Sequence, residues 1–336
     1  MRQQSKQMIA GVVSVLLFLF VFLSGCNPEK KEEKEKETES TQPIQYKPLD
    51  TKIKRIVAEY QGGRISEGDL NQYLNILAFL DFQVSMMLSD PGMKKQLNEF
   101  KRIILKGYAA ELLIAKEVKR DEEFKKQALK EMQQLEKSLK DSPLSKDQKA
   151  PKNLDEAIKG KGFTKEELEK FIVRSLQRNE YFKNQLKGLK YDKVKANHIL
   201  IAFQLDNEGK KKRSDAEAKK RAEEVKKKLE NKGDFKKLAK EYSDDPGSKE
   251  NGGEIEGSAD QFVPEFANAV RTLPLNKISD PIKTEYGYHI VKVTERSKED
   301  MEKASEEIKQ QKIQQLNQEY IDKKLKVKIM LPGEKK

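Results

Sequence analysis

The two histidines of this 336-residue chain both lie in runs of apolar and β-branched residues. His198 is in "VKANHILIAF" (194–203), and His289 is in "KTEYGYHIVKV" (283–293). Runs of this type predict strands, in which alternate side chains point to the same face. If the two strands are neighbours, both imidazoles reach one site, where they can transfer protons or organise hydrogen bonds.

The alternation also predicts which residues share a face with each imidazole. His198 lies on the same face as Leu200, and His289 lies on the same face as Val291. The alternative is that each histidine is a structural hydrogen-bonding group in the core of a sheet. The residues alone leave both interpretations open.

Several other kinds of site are excluded by the composition. A zinc site normally needs three or four protein ligands, more than two histidines and one cysteine supply. The cysteine, Cys26, lies outside the part that we expect to fold, so no thiol nucleophile is available there. The chain has no phosphate-binding P-loop motif and no G-x-S-x-G nucleophile motif. We therefore expect no metal and no cofactor.

The first 25 residues have the pattern of an export signal. Arg2 and Lys6 precede the apolar run "MIAGVVSVLLFLFVFLSG", and "LSGC" then places two small residues before Cys26. The last motif resembles the lipobox of bacterial lipoproteins, which implies signal cleavage and lipidation of Cys26. An uncleaved anchor and a chance cysteine are the alternatives. Residues 26–49 are charged and poor in apolar side chains, so we interpret them as a flexible tether.

The region 50–190 reads as mainly helical. A strand over 53–60 is followed by Ser66 and Asp69, which have the spacing of a helix capping box. Helical periodicity then recurs up to about residue 186. Met86, Met87 and Met93 suit an adaptable apolar surface, although gap-filling in a core is the commoner use of methionine.

From Val194 the pattern changes to that of a compact α+β domain. The predicted order is a strand (194–203), two helices, a loop (243–260), a helix that begins near Pro264, and two strands. Ser297 and Asp300 are then expected to cap a C-terminal helix, which a strand in 325–331 follows. This tail is too short to fold alone, so we expect it to pack on the helical N-terminal region.

The motifs between residues 194 and 296 resemble those of the parvulin-type peptidyl-prolyl cis/trans isomerases. They are "VKANHILI", "GDFKKLAKEYSDDPGSKENGGEI", "QFVPEFANAV" and "SDPIKTEYGYHIVKV". The resemblance implies a small antiparallel sheet with surrounding helices at residues 191–297. It also implies that this domain is inserted between a helical chaperone-like region (50–190) and a C-terminal segment (298–336) that packs back on that region.

The resemblance also implies a set of functional residues. The side chains expected to do the catalytic work are His198, Ser243, Asp245, Thr284 and His289. Those expected to bind the substrate's proline are Ile255, Phe262, Phe266 and Tyr286.

The residues themselves permit simpler interpretations of this set. Phe262 and Phe266 have the spacing of any buried helix start, and Asp245 before Pro246 is typical of a turn. The chain also departs from the family pattern. Glu256 replaces a glycine, and Asn276 replaces a turn glycine, a position that Asn tolerates.

The function implied is a foldase that isomerises X–Pro bonds in exported proteins. Its partners would be unfolded or partly folded chains, the membrane through the lipid anchor, and a second copy through the helical region. It would act outside the cytoplasmic membrane of a Gram-positive bacterium. The net charge of +12 comes from interspersed charges without a basic, aromatic-rich cluster, so nucleic-acid binding is not expected. The main alternative is a holdase with an inactive isomerase domain. A solute-binding lipoprotein is a weaker one, because α/β repeats are missing.

Overall fold

The computed structural model describes residues 47–118, 121–141, 150–203 and 213–332, and these divide into two units. The first unit joins the residues up to Asn184 to those from Ile313 onward. The second unit is Gln185–Lys312, inserted between the two parts of the first. The α+β class and the inserted central domain that the sequence predicts are therefore confirmed.

The first unit combines a small sheet with helices. Strands β1 (Ile56–Tyr60) and β2 (Gly63–Ser66) form an antiparallel hairpin, and β7 (Val327–Ile329) pairs with the other edge of β1. The helices are α1 (Glu67–Leu80), α2 (Phe82–Ser89), α3 (Lys94–Glu117), α4 (Asp121–Asp141), α5 (Leu154–Ile158) and α6 (Lys165–Asn184). The strand that the sequence places in 325–331 is thus confirmed, and it pairs with β1 in the N-terminal region, on which we expect the tail to pack.

A capping box starts α1, as the sequence predicts. The Oγ atom of Ser66 accepts a hydrogen bond from the backbone N–H of Asp69 (3.1 Å), and Asp69 accepts one from the N–H of Ser66 (2.8 Å). Farther along the chain a buried ion pair joins α3 to α6, since Arg178 lies 2.7 Å from Glu111. The hydroxyl of Tyr73 donates to the same carboxylate, which therefore has donors on two sides.

The second unit is built on a four-stranded antiparallel sheet. Its strands are β3 (Lys190–Ala202), β4 (Glu254–Ser258), β5 (Ile282–Thr284) and β6 (Gly287–Asp300), in the order β4-β3-β6-β5. In the pairing of β3 with β6, His198 lies opposite Val291 and Leu200 lies opposite His289. Because directly paired residues project to the same face, both imidazoles leave the sheet on one side, as the alternation predicts.

Two apolar clusters cover the two faces of this sheet. Helices α7 (Asp215–Glu230) and α8 (Phe235–Tyr242) pack on the face that carries Ile199 and Ile290. Helix α9 (Pro264–Thr272) packs on the opposite face, which carries Ala196 and Val291. Pro264 opens α9 at the first turn, where its missing N–H costs no hydrogen bond. Of the predicted turn residues, Asn276 has a φ of 64°, so it adopts the left-handed backbone that glycine would otherwise supply.

Two expectations from the sequence are wrong. Residues 243–260 are not a continuous loop, because Glu254–Ser258 form β4 and pair with β3. Ser297 and Asp300 do not cap a helix, because β6 continues through both of them. The last helix, α10 (Glu306–Glu319), begins later, where Ser305 accepts a hydrogen bond from the N–H of Ile308. In both cases pairing with β3 overrides the local sequence signal.

None of the helices in the described ranges is long and apolar enough to cross a membrane. The predicted signal (1–25), Cys26 and the tether up to residue 46 lie outside those ranges.

Candidate active site

The two imidazoles face each other across the pair of central strands. Nδ1 of His198 lies 3.4 Å from Nδ1 of His289, and the two rings are nearly parallel, at 14°. Both side chains are buried. The register of β3 against β6 positions them, since His289 pairs with Leu200, two residues along β3 from His198.

Thr284 closes one end of this pair. It is the last residue of β5, and its hydroxyl oxygen lies 2.9 Å from Nε2 of His289. The same oxygen accepts a hydrogen bond from the backbone N–H of Tyr286 (3.2 Å). The hydroxyl has one hydrogen and a second lone pair, so the tautomer of His289 decides whether Thr284 donates to Nε2 or accepts from it.

Asp245 and Ser248 close the other end. Nε2 of His198 lies 2.9 Å from the Asp245 carboxylate and 2.8 Å from the Ser248 hydroxyl. The loop after α8 brings both residues to β3, because Ser243 connects this loop to the strand. Its hydroxyl accepts hydrogen bonds from the N–H of Leu200 (3.2 Å) and from the N–H of Asp245 (3.3 Å).

These partners assign one hydrogen to each imidazole. A carboxylate only accepts, so His198 carries its hydrogen on Nε2 and leaves Nδ1 as an acceptor. His289 receives the Thr284 hydrogen at Nε2 and donates from Nδ1 to His198. The result is a chain of hydrogen bonds with one direction, which runs from Thr284 through both histidines to Asp245.

The charges in the site agree with this direction. Burial lowers the pKa of His289 to about 3, so this imidazole is neutral at physiological pH. The hydrogen bond from His198 holds the pKa of Asp245 well below its usual range, and bonds from Ser248 and Gly247 act in the same sense. Asp245 therefore remains ionised, and a quarter of its side chain is exposed.

An apolar wall stands beside the histidines. The ring of Phe266 on α9 is buried, with its centroid 5.5 Å from His198 and 5.1 Å from His289. Phe262 is half-buried and lies 5.0 Å from Phe266, measured between ring centroids. Ile255 on β4 pairs with Ala196 and packs on the same apolar cluster. The site thus has the charged Asp245 at one edge and the apolar wall beside the histidines, with the partly exposed Phe262 at the border of this wall.

Two of the expected residues are not part of this buried group. The side chain of Tyr286 is exposed, and the contacts of this residue with the network are made by its backbone. Cys26 lies outside the described residues. The other eight expected residues lie in the second unit, in the network or against the apolar wall: His198, Ser243, Asp245, Ile255, Phe262, Phe266, Thr284 and His289.

Two further residues shape the site and were not predicted. Ser248 contacts both His198 and Asp245, and its place three residues after Asp245 in "DPGS" was the available signal. Gly253 has a φ of 77°, and a Cβ added there would lie 2.2 Å from the carbonyl oxygen of His198. Its own carbonyl accepts the N–H of His198 (2.8 Å), so only glycine lets the loop approach β3 this closely.

The buried, neutral state of His289 predicts how stability depends on pH. The unfolded residue titrates near its ordinary pKa of 6.5 and the folded one near 3, so between these values only the unfolded state binds the proton. The stability contributed by neutral His289 is complete above pH 6.5 and decreases as the pH falls toward 3. Relative to His289→Gln, we expect the wild-type second unit to lose up to about 1.4 kcal/mol per pH unit in this window.

Hydrogen exchange of the β3 and β6 amides measures this quantity for the second unit alone. The comparison with His289→Gln cancels the titration of all other groups that the substitution does not disturb. A difference between the two proteins that stays constant from pH 7 to pH 4.5 would contradict the buried, neutral imidazole.

The second unit also matches a known protein family. Residues 176–297 match the family described as the PPIC-type PPIASE domain, where PPIASE denotes a peptidyl-prolyl isomerase. The foldase protein PrsA of Geobacillus kaustophilus is 40% identical over 136 residues, which cover 40% of this chain and 41% of that protein. The foldase protein PrsA of Clostridium botulinum is 29% identical over 313 residues, which cover 82% of this chain and 86% of that protein.

Solved structures include similar proteins. The crystal structure of peptidylprolyl isomerase (PrsA) from Bacillus anthracis is 28% identical, and the match covers 66% of this chain and 90% of that one, with a TM-score of 0.38. The family match and the curated relatives support a peptidyl-prolyl isomerase domain in this chain. Residues 176–297 are thus similar to the parvulin-type peptidyl-prolyl cis/trans isomerases, and the chain is similar over most of its length to a foldase protein PrsA.

Proposed function

We propose that this protein is a lipid-anchored foldase that isomerises X–Pro bonds in exported proteins outside the cytoplasmic membrane. The export-like first 25 residues, the "LSGC" motif at Cys26 and the charged tether support the location. The hydrogen-bond chain from Thr284 to Asp245 beside the Phe266 ring is the observation that carries the catalytic part.

The reaction needs no covalent step. It needs a site that binds the twisted amide and the planar amide with different affinities. Rotation about an X–Pro bond breaks amide resonance, and its barrier of about 18–20 kcal/mol makes the uncatalysed reaction slow. A site that binds the twisted amide more tightly than the planar forms lowers this barrier. An acceleration of about 10⁵ corresponds to roughly 7 kcal/mol of such differential binding.

The apolar wall would hold the proline ring. Phe266 is fixed by its burial, whereas Phe262 and Ile255 are half-buried and accessible to a substrate. A ring bound against them is anchored while the residue before it turns. The exposed Tyr286 extends this surface toward the rest of the substrate chain.

Asp245 would act on the amide group itself. A planar amide places partial negative charge on its oxygen, and rotation withdraws that charge. An ionised carboxylate near the oxygen therefore destabilises the planar form more than the twisted form. His198 and Ser243 hold Asp245 in position, while His289 and Thr284 orient His198 through the Nδ1 contact.

The second candidate function is that of a holdase, and one surface of the first unit favours it. Phe82 and Met86, one turn apart on α2, have exposed side chains. Exposed apolar pairs of this type suit the capture of unfolded segments. The homodimer through the first unit stays a prediction.

Assays of peptide isomerisation and of proline-limited refolding test the catalytic proposal, with a protein that begins at the residue after Cys26. We expect Asp245→Asn, which keeps the shape and removes the charge, to lower kcat/KM by about 10- to 100-fold, the loss of one charge-assisted interaction. Phe266→Ala should lower kcat/KM at least as much, because the apolar wall that would hold the proline ring loses its buried phenylalanine. Asp280→Asn is the matched control, since Asp280 is exposed and pairs with Lys226.

Equal rates for Asp245→Asn and Asp280→Asn would contradict the role of the carboxylate. If the wild type prevents aggregation without accelerating isomerisation, and Phe82→Ser with Met86→Ser abolishes that protection, the holdase alternative is favoured instead.

The location is tested by substitution of the lipobox cysteine. Because the thiol is the group that would be lipidated, we expect Cys26→Ser to move the protein from the membrane fraction to the soluble fraction of a Gram-positive host. Fractionation and immunoblotting measure the distribution. Retention of both proteins in the membrane fraction would indicate an uncleaved anchor.

A further inference from the structure

Ser248 is a buried hydroxyl group that the resemblance to parvulins does not assign. The residue is 2% exposed, and its Oγ atom lies 2.8 Å from Nε2 of His198. The hydroxyl also donates a hydrogen bond to the same oxygen of Asp245 that His198 contacts. Three polar groups therefore converge where the hydrogen-bond chain ends.

The backbone around Ser248 is held from several sides. Its carbonyl accepts the N–H groups of Asn251 (3.0 Å) and Gly253 (2.9 Å). At the other end of the turn, the carbonyl of Asp245 accepts the N–H of Lys249 (3.0 Å), and its carboxylate accepts the N–H of Gly247 (3.1 Å). The hydroxyl is thus placed by a turn with little freedom to move.

Donor and acceptor chemistry gives this hydroxyl a definite role. Asp245 is ionised and accepts, so Ser248 uses its single hydrogen to donate to the carboxylate. The Ser248 oxygen is then left with lone pairs that face Nε2 of His198. The hydrogen on Nε2 consequently has two acceptors, the carboxylate and the hydroxyl. In the other tautomer the hydrogen is on Nδ1, and Nε2 has no hydrogen to donate to these two groups.

We propose that Ser248 is a positioning residue that fixes the Asp245 carboxylate and thereby keeps the hydrogen of His198 on Nε2. This inference rests on the proposed roles of Asp245 and His198 in isomerisation. Without the hydroxyl, the partly exposed carboxylate can rotate toward water, and the preference for Nε2–H weakens. A hydrogen on Nδ1 of His198 would then meet the Nδ1–H of His289 at 3.4 Å and break the chain.

The test is Ser248→Ala in the chain that follows Cys26, read by two-bond ¹H–¹⁵N correlation spectra of the imidazoles. The chain has two histidines, so His198→Gln assigns both sets of signals. We expect the wild type to show the Nε2–H form of His198 and Ser248→Ala to show a mixture of both neutral tautomers. The same variant should lose at least about tenfold in kcat/KM, the effect of one hydrogen bond to a charged group.

Two further variants separate positioning from general destabilisation. Ser248→Thr keeps the hydroxyl and should restore the Nε2–H form and most of the rate. Ser279→Ala removes an equally buried hydroxyl, which accepts the N–H of Val291, and should leave the tautomer of His198 unchanged. An unchanged tautomer in Ser248→Ala, or the same shift in Ser279→Ala, would overturn the inference.

The two levels of the proposal fail in different ways. If His198→Gln keeps the wild-type rate, the proposed catalytic role of the histidine pair is wrong. The tautomer spectra do not depend on turnover, so they decide the role of Ser248 in either case.

Discussion

The contact between the Nδ1 atoms of His198 and His289 is the constraint on which the site depends. At 3.4 Å the two nitrogens have room for one hydrogen, so one ring must donate and the other must accept. This choice at the centre determines both ends. His289 has to accept from Thr284, and His198 has to donate to Asp245. A pair of histidines in a sheet is thereby converted into a directed network that ends on an ionised carboxylate.

The fold aligns the two imidazoles of this network and buries them away from solvent. The register between β3 and β6 sets the distance between the imidazoles, and burial keeps His289 uncharged. Phe266 seals one side of both rings and extends an apolar surface toward Phe262. Low polarity around the network strengthens each of its hydrogen bonds and makes the loss of any partner costly. The same wall is where a proline ring would be held, so burial serves both stability and binding.

Much of this arrangement could be predicted from the sequence, because its signals are local. Alternation along 194–203 and 288–295 placed both histidines on faces that can meet, and Ser66 with Asp69 marked the start of α1. The strand β4 escaped prediction because "EIEGS" lacks a run of apolar residues. What makes it a strand is its pairing with β3, with ion pairs that include Lys193 with Glu256 (3.0 Å). The role of Ser248 was equally hidden, since it arises from a turn folding back on a strand fifty residues earlier.

The central claim is that the imidazole of His289 is neutral and that the hydrogens of the two rings point in one direction. Neutron diffraction from deuterated crystals at neutral pH observes this directly, because it locates exchangeable hydrogens that X-rays do not show at ordinary resolution. We predict one deuteron between the two Nδ1 atoms, bonded to His289, and one on Nε2 of His198 that faces Asp245. Deuterons on both nitrogens of either ring, or on Nε2 of His289, would contradict the account.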